Sequence, residues 1–367
     1  MAQGHAVSHW VFLGTDKGKG IYRARWDAAT GELGTIELAA ESDRPDFFAP
    51  HPDLPVLYTV NAMGGGKGTV SSYRIDSSLG RLTFMAKTSS HGDGPCAVSL
   101  GRGGKSAFVA NYTGGTVAAY DVDMAGYLQE KSSFDCRNNG LCGALGPVKD
   151  RQEAAHMHCV TLAPGQKYLL ACNLGEDALE LFKLDQPGDP LMNPIRVPAR
   201  AGSGPRHVAF HPNGKWLYCI HELDCTVDLY DWSTRDGAAQ LKLREESVTS
   251  TLPKGTPLSG NTACEIFVSG DGRFVYTCTR GVDEIVVFRV NQATGSISEH
   301  QRVSTGGKIP RYITLDPSGK WLVCCNQGAG ATPVGNVTVF AHDAATGKLS
   351  ETPKVFAAET PMFVSFV

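Results

Sequence analysis

The residues best suited to chemistry stand at two fixed distances from a turn that recurs along the chain. The turn is centred on positions 52, 102, 164, 212, 270 and 317, as in Phe210-His-Pro-Asn-Gly214. Six residues before each centre lie, in chain order, Asp46, Cys96, His158, Arg206, Cys264 and Arg311, and ten residues after it lie Ala62, Tyr112, Leu174, Glu222, Arg280 and Gln327. Both sets are rich in charge and differ from copy to copy, as expected of a site rather than of a scaffold.

The chemistry that these side chains allow is anion binding combined with proton transfer. Arginine presents a forked set of donors that matches carboxylate or phosphate and stabilises a developing oxyanion. His158 can accept a proton from water near neutral pH, and Glu222, close to cations, is expected to stay ionised. A second interpretation stays open, in which the arginines and Glu222 form a purely structural ring of ion pairs.

The spacing of the turns predicts the elements that position these residues. Successive centres are 50, 62, 48, 58 and 47 residues apart, which is the period of a four-stranded β-propeller blade with two insertions. Nine residues after each centre an apolar run ends, at Asn61, Asn111, Asn173, His221, Thr279 and Asn326. Because the first two strands of a blade run antiparallel, both sets of polar residues are expected at the same mouth of the central channel.

The two chain ends together predict a seventh blade. Trp10-Val-Phe-Leu13 and Ile21-Tyr-Arg-Ala24 are typical of second and third strands that lack a first strand, and Met362-Phe-Val-Ser-Phe366 is a single strand near the C-terminus. Pairing them closes the ring and leaves no open sheet edge between the first and last blades. We therefore predict an all-β, seven-bladed propeller with four antiparallel strands per blade, formed by a single domain over residues 1–367.

Composition argues against several classes of partner. The net charge is −3 and no basic stripe is present, which disfavours nucleic acid and anionic membranes. No apolar run reaches the roughly 18 residues of a transmembrane helix, and the N-terminus lacks the basic and apolar regions of a secretory signal. The 11 cysteines are odd in number and lie mostly within strand patterns. We therefore expect reduced thiols in a cytoplasmic protein.

Four segments give the chain a resemblance to a known family. They are 151–158, 204–214 with Glu222, 272–276 with Arg280, and 310–317. These segments resemble the lactonase family of seven-bladed β-propellers, which includes bacterial 6-phosphogluconolactonases and the fungal 3-carboxy-cis,cis-muconate lactonizing enzyme. The resemblance covers nearly the whole chain, and its charged positions are absent from generic propeller repeats. It implies that the catalytic residues are His158, Arg206, Glu222 and Arg280.

The resemblance implies hydrolysis of an anionic sugar lactone, first of all 6-phosphoglucono-1,5-lactone, with no metal and no other cofactor. His158 would activate water, while Arg206 and Arg280 would bind the phosphate or the carbonyl oxygen as it becomes negative. Glu222 would hold the charged array in place. The residues expected to bind the substrate or support the pocket are Arg311, Tyr112, Asn326, Gln327 and His156. We expect a monomer or a small homo-oligomer.

Three alternatives to this function remain at the level of sequence. A cycloisomerase that forms a lactone from a muconate would need the same arginines, with a proton delivered to carbon. A non-catalytic propeller would bind a peptide or protein at the mouth, although such surfaces favour exposed aromatic residues. His156 and His158 alternate along a strand and face one side, which could indicate a metal pair, but no nearby acidic residue or cysteine completes a ligand set by spacing.

Overall fold

Seven small antiparallel sheets make up the chain in the computed structural model, which describes residues 9–139, 141–184, 191–235, 238–329 and 334–367. Blade 1 contains strands β5 to β8 and blade 2 contains β9 to β12, and the numbering continues around the ring to blade 6. Blade 7 combines the C-terminal strand β30 with the N-terminal strands β1 to β4. The innermost strands contact one another in the cyclic order β5, β9, β13, β17, β22, β26 and β30, and β30 in turn contacts β5.

For the first four blades, the strands are β5 Pro45–Pro50, β6 Val56–Asn61, β7 Thr69–Asp76, β8 Arg81–Ser89, β9 Pro95–Gly101, β10 Ser106–Asn111, β11 Thr116–Val122, β12 Leu128–Asp135, β13 Met157–Leu162, β14 Tyr168–Asn173, β15 Ala178–Lys183, β16 Ile195–Pro198, β17 Pro205–Phe210, β18 Trp216–His221, β19 Thr226–Arg235, β20 Ala238–Leu243 and β21 Thr249–Ser250.

The remaining elements complete the ring. For blades 5 to 7, the strands are β22 Thr262–Val268, β23 Phe274–Arg280, β24 Glu284–Val290, β25 Ile297–Ser304, β26 Pro310–Leu315, β27 Trp321–Asn326, β28 Gly335–Ala341, β29 Lys354–Ala358, β30 Pro361–Phe366, β1 His9–Thr15, β2 Gly20–Asp27, β3 Glu32–Leu33 and β4 Glu37–Glu41. A four-residue helix, α1, spans Cys136–Asn139, and three short 3-10 turns span Arg102–Gly104, Leu174–Glu176 and Glu245–Ser247. The predicted all-β, seven-bladed propeller is confirmed.

Burial explains why the sequence forms these strands. The second strand of a blade lies between two neighbouring blades, so every residue of β14 and of β18 is buried, and such strands read as continuous apolar runs. The outer strand β20 instead alternates exposed and buried residues over most of its length, which is the pattern of a half-exposed strand. The core is accordingly divided into apolar layers between adjacent blades, such as the layer around Phe108, Leu169 and Phe182.

The strand pairing places the two predicted sets of residues at one mouth. In blade 4, β17 and β18 run antiparallel with Pro205 opposite His221. Arg206 and Glu222 follow these two residues in the chain, so their side chains lie at the same end of the blade. The equivalent pairing in blade 6 joins Pro310 and Asn326. The expectation that both sets share a mouth is therefore confirmed.

Asparagine residues at the ends of several second strands hold the connections between blades in place through hydrogen bonds. Asn61 Nδ2 donates a hydrogen bond to Asp43 O at 2.7 Å, and Asn111 Nδ2 donates to Ser90 O at 2.7 Å. Asn326 does the same, with Nδ2 3.3 Å from Thr305 O. Each acceptor belongs to the loop that leads into an innermost strand, so these amides fix where that strand begins.

The disulfide between Cys136 and Cys142 corrects the expectation that all cysteines are reduced. The two Cα atoms lie 4.7 Å apart, and the bond joins residues with a sequence separation of six. The other nine cysteines are free, and all but Cys96 are buried. Since disulfides form mainly in oxidising compartments, the cytoplasmic location stays a prediction. None of the helices within the described ranges is long and apolar enough to cross a membrane.

Ring closure yields a test of the fold that uses one residue type in two environments. Val364, on the closing strand β30, is 2% exposed, whereas Val355, on the outer strand β29, is 57% exposed. We expect Val364→Asp to lower the free energy of unfolding by several kcal/mol, because an unpaired carboxylate would be buried between blades. Val355→Asp should cost no more than about 1 kcal/mol. Urea unfolding measures both, and equal losses would contradict closure by β30.

Candidate functional site

A cavity of about 470 Å³ opens at the mouth where both residue sets meet. All seven blades contribute to its lining, which agrees with the radial placement of equivalent positions in a propeller. From blades 1 to 3 and their connections, the lining residues are Arg44, Asp46, Phe47, Ala62, Gly64, Gly94, Cys96, Tyr112, Thr113, Arg151 and His158. From blades 4 to 7 they are Arg206, His207, Glu222, Glu265, Arg280, Arg311, Tyr312, Met362 and Phe363.

The Glu222 carboxylate is the centre of the site. Its Oε2 lies 3.0 Å from Arg206 Nε, 3.0 Å from Arg280 Nη2 and 3.7 Å from His158 Nε2. Its Oε1 accepts a hydrogen bond from Arg151 Nη2. Burial alone would raise the pKa of Glu222, but the charges of Arg280, Arg206 and Arg151 outweigh it and hold that pKa well below the usual range. The carboxylate is therefore ionised at neutral pH, as predicted from the sequence.

The turn before β17 fixes the relative position of Arg206 and Glu222. Gly204 has a φ of 65°, and an added Cβ would lie 2.6 Å from Leu223 Cγ, so only glycine fits this left-handed position. Asp177 Oδ1 accepts a hydrogen bond from Gly204 N at 2.8 Å, and Glu222 N donates to Gly204 O at 2.8 Å. The Gly204-Pro-Arg segment thus sets the arginine and the carboxylate side by side.

His158 is a neutral imidazole in this site. Burial lowers its pKa well below the usual value, and the charges of Arg206 and His207 lower it further, against a smaller opposite effect of Glu222. The ring lies edge-on to Tyr112, with 5.3 Å between centroids, and its Nδ1 lies 4.0 Å from Cys96 Sγ. A neutral imidazole at neutral pH has a nitrogen free to accept a proton.

The arginines divide into anchored and open groups. Arg280 Nη2 donates to Ala263 O at 3.2 Å, and Arg206 Nη1 donates to Cys264 O, so both guanidinium groups are held by backbone as well as by Glu222. Arg311 is half-buried, and its side chain forms no hydrogen bond or ion pair with the residues that the structure describes. Its guanidinium is therefore free to bind a ligand in the cavity.

The cavity carries an excess of positive charge. Five arginines line it, against the carboxylates of Glu222 and Glu265 and the side chain of Asp46. Burial raises the pKa of Asp46 to about 7, despite the opposing charges of Arg44 and Arg311. Asp46 is therefore partly protonated at neutral pH and offsets less of that charge than an ionised carboxylate would. The electrostatics suit an anionic ligand.

The structure does not bring three of the predicted residues into the cavity lining. Asn326 is fully buried, and its amide binds Thr305 and neighbouring strand residues, which corrects its predicted place in the pocket. Gln327 Nε2 donates to Asp16 Oδ2 at 3.0 Å near the mouth. His156 lies behind Tyr112, stacked on it with 4.4 Å between ring centroids, in keeping with a supporting position.

Three features of the lining were missed by the sequence analysis. Arg151 lies in the long connection before β13, outside the repeat, although it belongs to a segment that carries the family resemblance. Met362 occupies in blade 7 the position that His158 occupies in blade 3. The predicted closing strand 362–366 could have indicated this position. The pair formed by His207 and Glu265 lies on the first strands of blades 4 and 5 and gave no polar periodicity of its own.

Comparison with known proteins agrees with this geometry. The family described as "Lactonase, 7-bladed beta-propeller" matches residues 9–366. The chain belongs to this family. Among curated relatives of this lactonase-family chain is the 6-phosphogluconolactonase of Bacillus subtilis (strain 168), 34% identical over 351 residues that cover 95% of each chain. The 6-phosphogluconolactonase of Formosa agariphila is 28% identical over 354 residues, covering 94% of this chain and 95% of the relative.

A solved structure of similar shape belongs to a related protein. The Pseudomonas aeruginosa periplasmic gluconolactonase PpgL is 28% identical to this lactonase-family chain, with a TM-score of 0.85 and coverage of 98% and 99% of the two chains. The predicted family is thus confirmed by both kinds of comparison.

The central carboxylate yields a prediction on stability and its pH dependence. We expect Glu222→Gln to lower the free energy of unfolding at pH 7 by about 3–5 kcal/mol, because buried cations lose their partner. The folded state depresses the pKa of Glu222, so this contribution is complete at neutral pH and is lost as pH falls through the lowered pKa. Urea unfolding between pH 3 and 7 measures it.

Glu245→Gln is the matched control for this experiment. Glu245 is exposed on a 3-10 turn, so its substitution should change stability by less than about 0.5 kcal/mol. A Glu222→Gln variant as stable as wild type at pH 7 would show that the carboxylate does not organise the cluster.

Proposed function

We propose that this chain hydrolyses an anionic sugar lactone, with 6-phosphoglucono-1,5-lactone as the first candidate. The observation that carries the proposal is the arrangement around Glu222, in which a neutral His158 lies beside two anchored arginines in a cationic cavity. The names of the Bacillus subtilis and Formosa agariphila relatives support the same reaction and substrate. They do not favour the muconate cycloisomerase or a non-catalytic binding module.

The reaction follows from the charges and donors of the cavity. Water held near His158 attacks the lactone carbonyl carbon and gives its proton to the imidazole. Arg206 and Arg280 stabilise the carbonyl oxygen as it becomes negative, and their positions are preset because Glu222 and backbone carbonyls hold them. The bond from the carbonyl carbon to the ring oxygen then breaks, and the ring oxygen takes up a proton. Glu222 acts as a positioning residue throughout.

Arg311 is proposed to bind the phosphate group of the substrate. Its guanidinium is uncommitted within the described part of the chain, unlike those of Arg206 and Arg280, which already neutralise Glu222. Arg44, whose Nη2 lies 3.0 Å from Asp16 Oδ1, adds positive charge at the mouth. Arg311 lies on blade 6, next to Arg280 on blade 5, so a phosphate bound there would lie beside the Glu222 cluster. Tyr112 completes the wall next to His158.

The cytoplasmic location belongs to the same proposal. A phosphorylated sugar lactone carries charges that membranes exclude, so its hydrolase is expected where that lactone is made. The Pseudomonas aeruginosa relative is named as a periplasmic gluconolactonase. Preference for the phosphorylated or the unphosphorylated lactone therefore bears on the compartment as well as on the substrate.

The first test of the function is a direct assay. Purified protein should hydrolyse 6-phosphoglucono-1,5-lactone, followed with a pH indicator after subtraction of the spontaneous rate. We expect His158→Ala to lower kcat at least about 100-fold, because general-base catalysis is lost. His300→Ala, on the outer strand β25, should retain full activity. Full activity of His158→Ala, or none in wild type, would refute the proposal, and loss of diene absorbance from 3-carboxymuconate would favour the cycloisomerase.

A second test separates phosphate recognition from chemistry. We expect Arg311→Gln to raise KM for the phosphorylated lactone about 10–100-fold, since a hydrogen bond between charged groups is worth about 1.5–3 kcal/mol. The KM for glucono-1,5-lactone should change less than about threefold. Arg289→Gln, which alters an exposed arginine of β24, is the control. Equal increases in KM for both lactones would show that Arg311 does not bind the phosphate group.

A further inference from the structure

The floor of the cavity closes the central channel and contains an unassigned acid–base pair. The ring centroid of Phe363 lies 3.9 Å from that of Tyr312 and 4.1 Å from that of Phe47. These three aromatic side chains block the passage. Beside this plug lie His207 and Glu265, both of which line the cavity. Neither residue has a role in the reaction proposed for His158, Arg206 and Arg280.

In this pair, the Glu265 carboxylate orients the His207 imidazole, as expected for a histidine that acts as an acid. His207 Nδ1 lies 2.9 Å from Glu265 Oε1, and Ile266 N donates to the same oxygen at 2.9 Å. Both residues are only 6% exposed. His207 Nε2 and Glu265 Oε2 are buried and have no hydrogen-bond partner among the described residues. An unsatisfied buried polar atom destabilises the folded protein, and a hydrogen bond to a substrate atom in the cavity would remove that destabilisation.

His207 and His158 lie in contact, and their pKa values are shifted in opposite directions. Their rings meet edge to face, with centroids 5.2 Å apart. Burial lowers the pKa of His207, but the Glu265 carboxylate on β22 outweighs it, so the net pKa of His207 is raised. The titratable and charged groups that face His207 are Glu265, Arg206 on its own strand, and His158 and Cys159 on β13. Two neighbouring groups with pKa values pushed apart are the usual arrangement of an acid and a base.

We propose that His207, oriented by Glu265, is the general acid that protonates the ring oxygen as the lactone opens. The inference rests on the proposed lactonase function and assigns a partner to His158. It also explains why the site holds two histidines with different surroundings: one accepts the proton of water, and the other supplies the proton of the leaving group.

The proton count of this reaction balances without any further reactant. Attack of water forms the new carbon–oxygen bond and leaves a proton on His158. Cleavage of the bond between the carbonyl carbon and the ring oxygen takes a proton from His207 to that oxygen. Transfer of the proton from His158 to His207 restores both imidazoles, and the product acid then ionises in solution.

The test compares kinetic constants of variants at the floor. We expect His207→Gln to lower kcat about 100-fold or more, with KM changed less than about threefold. Glu265→Gln should lower kcat less and shift the basic limb of the kcat–pH profile to lower pH, because His207 would lose its proton more easily. His211→Gln is the matched control, since His211 is a buried histidine that follows the same strand, bound to Gly272 O at 2.8 Å and absent from the cavity lining.

The outcomes separate the inference from the function on which it rests. A wild-type protein without lactonase activity would overturn both. An active wild type with an unchanged kcat in His207→Gln, or an unchanged basic limb in Glu265→Gln, would overturn the inference alone. Circular dichroism checks the fold of each variant, and if His207→Gln does not fold, the pH profile of Glu265→Gln decides. Histidine NMR titration of wild type should show His207 deprotonating at higher pH than His158, and the reverse order would also overturn the inference.

Discussion

One buried carboxylate determines how the rest of the site is arranged. Glu222 gathers cations from blades 4 and 5, His158 from blade 3, and Arg151 from the connection that precedes β13. Without this carboxylate, the neighbouring guanidinium groups of Arg206, Arg280 and Arg151 would repel one another, because like charges interact strongly when they are close together and buried. The carboxylate makes their proximity stable, and the same interaction that stabilises the centre of the propeller therefore keeps the cationic site ready for an anion.

The fold could be predicted from the sequence because burial and turn formation require particular residue types at fixed positions of every repeat. A strand between two blades must be apolar along its length, and a tight connection needs glycine, proline or a small polar residue. These demands recur in every blade, so counting between turns located both sets of polar residues. The charged residues of these sets, such as Arg206 and Glu222, were correctly brought to one mouth because strand direction follows from the register alone.

Sequence reasoning failed where a residue's role depends on packing outside the repeat. Arg151 reaches Glu222 from an irregular connection, and no periodicity reveals where such a loop folds back. Asn326 looked like a pocket residue because it ends a strand near the mouth, yet its amide is used by a neighbouring loop. A polar residue at a strand end satisfies backbone groups as readily as it binds a ligand, and the pattern does not distinguish the two.

The pairing that closes the ring has a consequence for synthesis of the chain. Val11 lies opposite Phe366 in the sheet of blade 7, so the second strand of this blade is made first and its innermost strand is made last. At about 5–20 residues per second, roughly 20–70 seconds separate the two. During that interval the N-terminal strand presents an unpaired edge, the kind of surface that promotes aggregation. Completion of the propeller therefore depends on how well the growing chain is shielded until β30 emerges from the ribosome.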